Sequence, residues 1–186
     1  MCKRLAIIIS ALGSITSLSA QAELPVAFHV SGQAAYTKVK AAGENFSPSL
    51  FQFKADIEVT DGLLDGIGLQ GLVAVPMSSA EENGLTLDIK QQSAAYITLT
   101  NPETESGDIK VSILLGYAST EIETQLPSLG ETGSNSDTFS DFSYGISVQD
   151  PIIEGKPYYW TLDLIRYYKD DNLSVDGISL GVTYAF

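Results

Sequence analysis

Cysteine occurs once in the 186 residues, at Cys2, and there is one histidine, His29, and one tryptophan, Trp160. With Cys2 inside a leader and none after it, a disulfide framework, a CxxC redox pair and a thiolate zinc site are all excluded. Bases are scarce too: ten Lys and Arg stand against 23 Asp and Glu. Two of those bases, Lys3 and Arg4, belong to the leader, so the remaining chain carries eight bases against 23 acids, a net charge of −15 that argues against nucleic acid as a partner. Long apolar runs are missing as well. No run of about 18 apolar residues follows residue 22, which excludes a bundle of membrane-spanning helices. There is no phosphate-binding loop and no DxDxDG spacing for calcium. No cofactor is expected.

The chain does have an export leader and a persistent alternation. Lys3 and Arg4 precede a mostly apolar stretch, residues 5–15, and Ala20 and Ala22 make a small-x-small cleavage site before Glu23. The apolar stretch is shorter than the roughly 20 residues of a spanning helix. The expected division is a cleaved signal peptide, 1–22, and one domain, 23–186.

Eight segments then alternate apolar with polar or small, the two-residue period of a strand. They cover residues 26–37, 50–60, 67–75, 85–99, 109–118, 141–149, 158–169 and 175–186. Residues 50–60 are the clearest: Phe51, Phe53, Ala55, Ile57 and Val59 oppose Gln52, Lys54, Asp56 and Glu58. Residues 85–99 are irregular, since Gln91 and Ser93 interrupt the face begun by Leu85, Leu87 and Ile89, and a bulge is expected there. The longest and most polar connection is residues 119–140.

Alternation does not say which face is inside. Small residues crowd the polar face (Gly68, Ala74, Gly116, Gly145, Gly177, Gly181), as the narrow interior of an eight-stranded barrel requires. The aromatics sort by height, with aliphatic side chains between. Phe28, Tyr158, Trp160, Tyr184 and Phe186 lie towards the end holding both termini. Tyr36, Phe51, Phe53, Tyr117, Phe142, Tyr144 and Tyr168 lie towards the other. Two aromatic girdles around an apolar band suit a membrane barrel. The expected fold is all-β, an eight-stranded antiparallel up-and-down transmembrane barrel.

The final strand ends on Ile178, Leu180, Val182, Tyr184 and Phe186, and this ending resembles the C-terminal assembly signal of bacterial outer-membrane β-barrels. With the leader and the eight strands, the chain is similar to the small OmpA-like and OmpX-like barrels of the "porin family". The resemblance implies residence in the bacterial outer membrane among lipid and lipopolysaccharide, as a monomer, after handling by periplasmic chaperones and the barrel-insertion machinery. The OmpA type often adds a peptidoglycan-binding domain; the sequence ends at Phe186, so that activity is not carried over.

On this reading Lys54, Asp56, Glu58, Asp88, Lys90, Lys110 and Asp163 point inwards. Three bases against four acids suit a paired network filling the lumen, because buried charge is costly unless paired. The expected role is structural or surface interaction; the alternatives are a small-solute channel and, more remotely, a lipid A-modifying enzyme. Catalysis would need His29 beside a serine, Ser31 or Ser179 being nearest in height, yet His29 lies at the wrong end for outer-leaflet chemistry. Glu44, Glu81, Glu82, Glu121, Glu123, Glu131, Asp137, Asp170 and Asp171 fall in the far-end connections, and Arg166 on the outer face could meet a lipid phosphate.

Overall fold

The computed structural model describes residues 25–41, 43–101, 109–125 and 134–186. The expected leader with Ala20, Ala22 and Glu23, and the acid Glu131, therefore lie outside the described residues.

Strand follows strand throughout: β1 (Val26–Ala41), β2 (Glu44–Phe46), β3 (Ser49–Val59), β4 (Ile67–Ser78), β5 (Ala80–Glu82), β6 (Leu85–Thr100), β7 (Lys110–Gln125), β8 (Ser134–Pro151), β9 (Tyr158–Lys169) and β10 (Leu173–Ala185). Eight are long, and each long strand pairs antiparallel with its neighbours in chain order. β10 also pairs with β1, from His29↔Ala185 to Ala41↔Leu173, so the sheet closes on itself and the ladder has no edge around the barrel wall. Phe186 is held by its backbone N–H, which donates to the carbonyl of Phe28 (2.9 Å). Both termini of the barrel thus share one end, here the near end.

The expected alternation is present on both sides of the wall. Along β1 the buried residues are His29, Ser31, Gln33, Ala35, Thr37 and Val39; along β3 they are Leu50, Gln52 and Lys54. The outer face carries exposed apolar side chains around the circumference: Leu69, Val73, Ile97, Ile113, Leu115, Ile146, Leu164, Leu180 and Val182. Exposed aromatics flank that band. Tyr36, Phe53, Tyr117, Phe142 and Tyr144 lie at its far side, and Tyr158 and Phe186 at its near side. Neighbouring rings touch: Phe51 with Phe53 at 4.8 Å, Tyr158 with Tyr184 at 5.3 Å, Tyr184 with Phe186 at 4.8 Å.

The far end differs from the sequence reading in three places. Residues 38–49 contain strand, because β1 continues to Ala41 and β2 folds back on it with Val39↔Phe46 in register. Residues 119–140 are mostly a long ribbon, in which β7 runs to Gln125 and β8 starts at Ser134. β5 pairs with β6, so Glu81 and Glu82 lie in a strand. The cause is common to all three. Past the aromatics the apolar residues turn inwards (Val39, Phe46, Ile122) while the outward residues become charged (Lys38, Lys40, Glu121, Glu123). A search for outward apolar alternation stops where that exchange occurs.

β6 needs a larger correction. Its register shifts between Ile89 and Gln91, leaving Lys90 as the extra residue. One inserted residue exchanges the two faces of a strand beyond it. Leu87 and Ile89 are therefore buried in the interior, and Asp88 and Lys90 lie on the outer surface, partly exposed. These two do not belong to the lumen set.

Candidate functional site: the barrel interior and the far-end ribbon

The interior has three layers. At the near end, His29 Nδ1 meets Asp56 Oδ2 at 2.6 Å, and Ser31, Thr183 and Thr161 hydroxyls form a chain with successive separations of 2.6 Å. A recess lined by Asp56, Glu58, Gln70, Lys110, Ser112 and Ser147, among others, has about 10 Å³ of room for water centres, which is about one molecule. Ser147 Oγ and Gln70 Nε2 are buried there without a partner among the described residues, as a bridging water would leave them.

The middle layer is closed by side chains. Lys54 Nζ donates to Asp163 Oδ2 at 2.5 Å, both side chains being essentially inaccessible. Ser179 Oγ donates to Gln33 Oε1 (2.8 Å), and Gln52 Nε2 donates to the Tyr167 hydroxyl (2.8 Å). The Tyr96 hydroxyl bonds Ser143 Oγ at 2.8 Å. The glycines of the polar face make room for these rings. A Cβ on Gly177 would lie 2.6 Å from the Tyr167 ring, and one on Gly116 would lie 2.8 Å from that of Tyr96.

Above this lies an apolar layer of Val39, Phe46, Leu50, Leu87, Ile89, Ile122, Leu173 and Val175, among others, all buried, with Phe139 and Tyr168 packed against it. The Phe139 and Tyr168 rings are 5.6 Å apart. Tyr168 thus belongs partly to the interior, in contrast to the exposed Tyr117 and Tyr144.

The expected lumen charges therefore divide. Lys54 and Asp163 pair in the middle; Asp56, with Glu58 and Lys110, lines the near-end recess. Lys90 instead forms a triad outside the far end, 2.8 Å from Asp88 and 2.9 Å from Glu123. There the Lys90 ammonium, with Ser134 and Gln125 bonds, draws the Glu123 carboxyl down to about 2, and the two carboxylates raise Lys90 to about 12. Arg166 is engaged within the protein, with Nε 2.6 Å from Asp176 and Nη1 3.2 Å from the Tyr144 hydroxyl. His29 has Asp56 as its partner, while the Ser31 and Ser179 hydroxyls bond Thr183 and Gln33. Tyr96, Gln92 and the apolar layer went unread in the sequence. Gln92 and Tyr96 follow the bulge at Lys90 in the inward phase that the alternation of residues 85–99 implies, but nothing in that alternation marks them as filling the lumen.

A closed barrel with an apolar exterior and a filled interior limits the field, and comparison with known proteins decides it. A sequence model of the outer membrane protein beta-barrel domain matches residues 7–186. The chain belongs to that family. It is an integral β-barrel of the bacterial outer membrane. Among solved structures the barrel is similar to Ail, the attachment invasion locus protein of Yersinia pestis, in complex with the heparin analogue sucrose octasulfate: 19% identity, TM-score 0.64, covering 87% of this chain and 99% of that one. It is also similar to neisserial surface protein A (12% identity, TM-score 0.57, covering 86% and 99%). A third likeness is to the N-terminal barrel of Pseudomonas aeruginosa OprF (12% identity, TM-score 0.50, covering 85% and 97%). No curated protein sequence matches the chain. At these identities the likenesses establish the fold.

Proposed function

We propose that this outer-membrane barrel is a non-conducting, non-catalytic scaffold that holds a strand ribbon outside the cell for contact with other molecules. One observation carries the reading: the Lys54–Asp163 pair, walled by Tyr96, Tyr167 and Gln52 and covered by the apolar layer, fills the passage. Eight strands leave an interior only just wide enough for such side chains. The aliphatic band is read as the membrane span, with the exposed aromatics at its two interfaces, lipopolysaccharide around its outer edge, and one copy of the chain per barrel. Export by cleavage after Ala22, chaperone escort and recognition of Ile178, Leu180, Val182, Tyr184 and Phe186 by the insertion machinery complete the proposal. The absence of catalysis is read from His29, whose partner is Asp56 and not a serine. Ail was captured with a polyanionic sugar. The far end here is acidic (Glu44, Glu81, Glu82, Glu121, Glu123, Asp137, Asp141, Asp170, Asp171), which favours cationic partners.

Planar-bilayer recording of the purified barrel tests this. The expected trace is flat; steady conductance from every inserted barrel would replace the proposal by a small-solute channel.

A further inference from the structure

The barrel wall has no edge, but the ribbon above it has one. β8 pairs with β7 from Lys110↔Gln149 out to Gln125↔Ser134. On its other side it pairs with β9 only from Tyr144↔Arg166 to Pro151↔Tyr159. Over residues 134–143 that side of β8 has no strand partner among the described residues. An unpaired edge is a row of N–H and C=O groups open to another chain. One of them shows its direction: the Phe142 N–H is bonded at 2.7 Å by the carboxylate of Asp141, its own neighbour, in place of a strand carbonyl. By the two-residue alternation of an antiparallel ladder, Ser140, Thr138, Ser136 and Ser134 turn their backbone groups the same way. Their side chains are small and do not bar a close approach.

We propose that residues 134–142 of β8 take up an extended, basic segment of a partner polypeptide as an added strand, resting on the end of β9. This rests on the reading that the far end meets partners, and it names their chemistry. Side chains at odd positions of β8 share one face, where Asp137 and Asp141 flank Phe139. Asp137 accepts only from Asn135 and Asp141 only from the Phe142 N–H among the described residues, so neither carboxylate has a cation. A strand laid alongside places its own residues opposite these three. The complement is basic, any residue, apolar, any residue, basic, and it reads the same in either strand direction. A second copy of this chain is a poor occupant, because its matching edge would bring acid to acid.

The test uses the barrel in lipid nanodiscs, 15N-labelled, with the acetylated and amidated peptide Thr-Lys-Thr-Val-Thr-Lys-Thr. Saturating peptide is expected to slow amide exchange at Ser136, Thr138 and Ser140 at least tenfold. N-methylation of the two threonines flanking the peptide's valine removes the ladder donors without changing charge, and should abolish that protection. Replacing its lysines by glutamate should do the same. On the barrel, Ser140→Pro blocks the open side and leaves the backbone ladder to β7 in place, losing only the hydroxyl bond to Ser119 there, and Asp137→Asn with Asp141→Asn should weaken binding at least tenfold. Three results would overturn the proposal: no protection, undiminished binding of the N-methylated peptide, or dimerisation of the barrel that Ser140→Pro abolishes. The flat bilayer trace stands or falls separately, since the edge lies outside the lumen.

Discussion

Lys54→Met removes an ammonium and leaves the Asp163 carboxylate at zero exposure with no cation. Stranding one partner of a buried pair costs about 3–5 kcal/mol. The expected outcome is a loss of that size in urea unfolding of the barrel in lipid. The double change Lys54→Met with Asp163→Leu should recover much of it, because replacing both partners by apolar groups avoids the uncompensated charge. An exposed far-end change, Glu82→Gln, should stay within about 0.5 kcal/mol. Gly177→Leu provides a second check on the filled lumen. A side chain there has no space beside Tyr167, so the folded fraction, seen as the heat-modified band on gels, should fall sharply.

The triad joining β6 to β7 titrates in a defined direction. Glu123 is held at about 2, against 4.5 for an ordinary glutamate, so its contribution is complete above pH 4.5 and disappears as pH falls towards 2. Lys90, raised to about 12, contributes fully below 10.5 and loses that contribution only as pH rises through 12. Carboxyl NMR titration of Glu123 should show the low midpoint, and Lys90→Met should move it up towards 4.5. The same stretch shows why part of the molecule was readable in sequence and part was not. In β3 and β10 an unbroken two-residue period runs against lipid on one side and small or polar groups on the other, so both strands and their faces could be read directly. In β6 the broken period at Gln91 and Ser93 marks a bulge but not the residue that is inserted; with Lys90 as the extra residue the faces are exchanged on its N-terminal side, so Asp88 and Lys90 lie outside and not in the lumen. The ion pair partners were beyond reach for another reason. Lys54 and Asp163 lie on strands far apart in the chain, and only the closed ladder brings them opposite one another.

At the scale of the whole barrel, assembly and temperature provide the tests. Phe186 is tied to Phe28 through the backbone and to Tyr184 through its ring. Deleting it should lower the yield of folded, heat-modifiable barrel in the outer membrane, and N-terminal sequencing of the wild type from that fraction should begin at Glu23. The apolar layer at the far end gives this barrel a thermal character of its own. When the wall unfolds in a membrane, its aliphatic band can remain among hydrocarbon, but Val39, Phe46, Leu87, Ile89 and Ile122 pass from a dry interior into water. Hydrating apolar surface raises heat capacity by about 0.45 cal/K/mol for each Å². A positive heat capacity of unfolding bends the stability curve, so this molecule should have a temperature of greatest stability and weaken on cooling below it, a dependence that originates in the cap outside the bilayer.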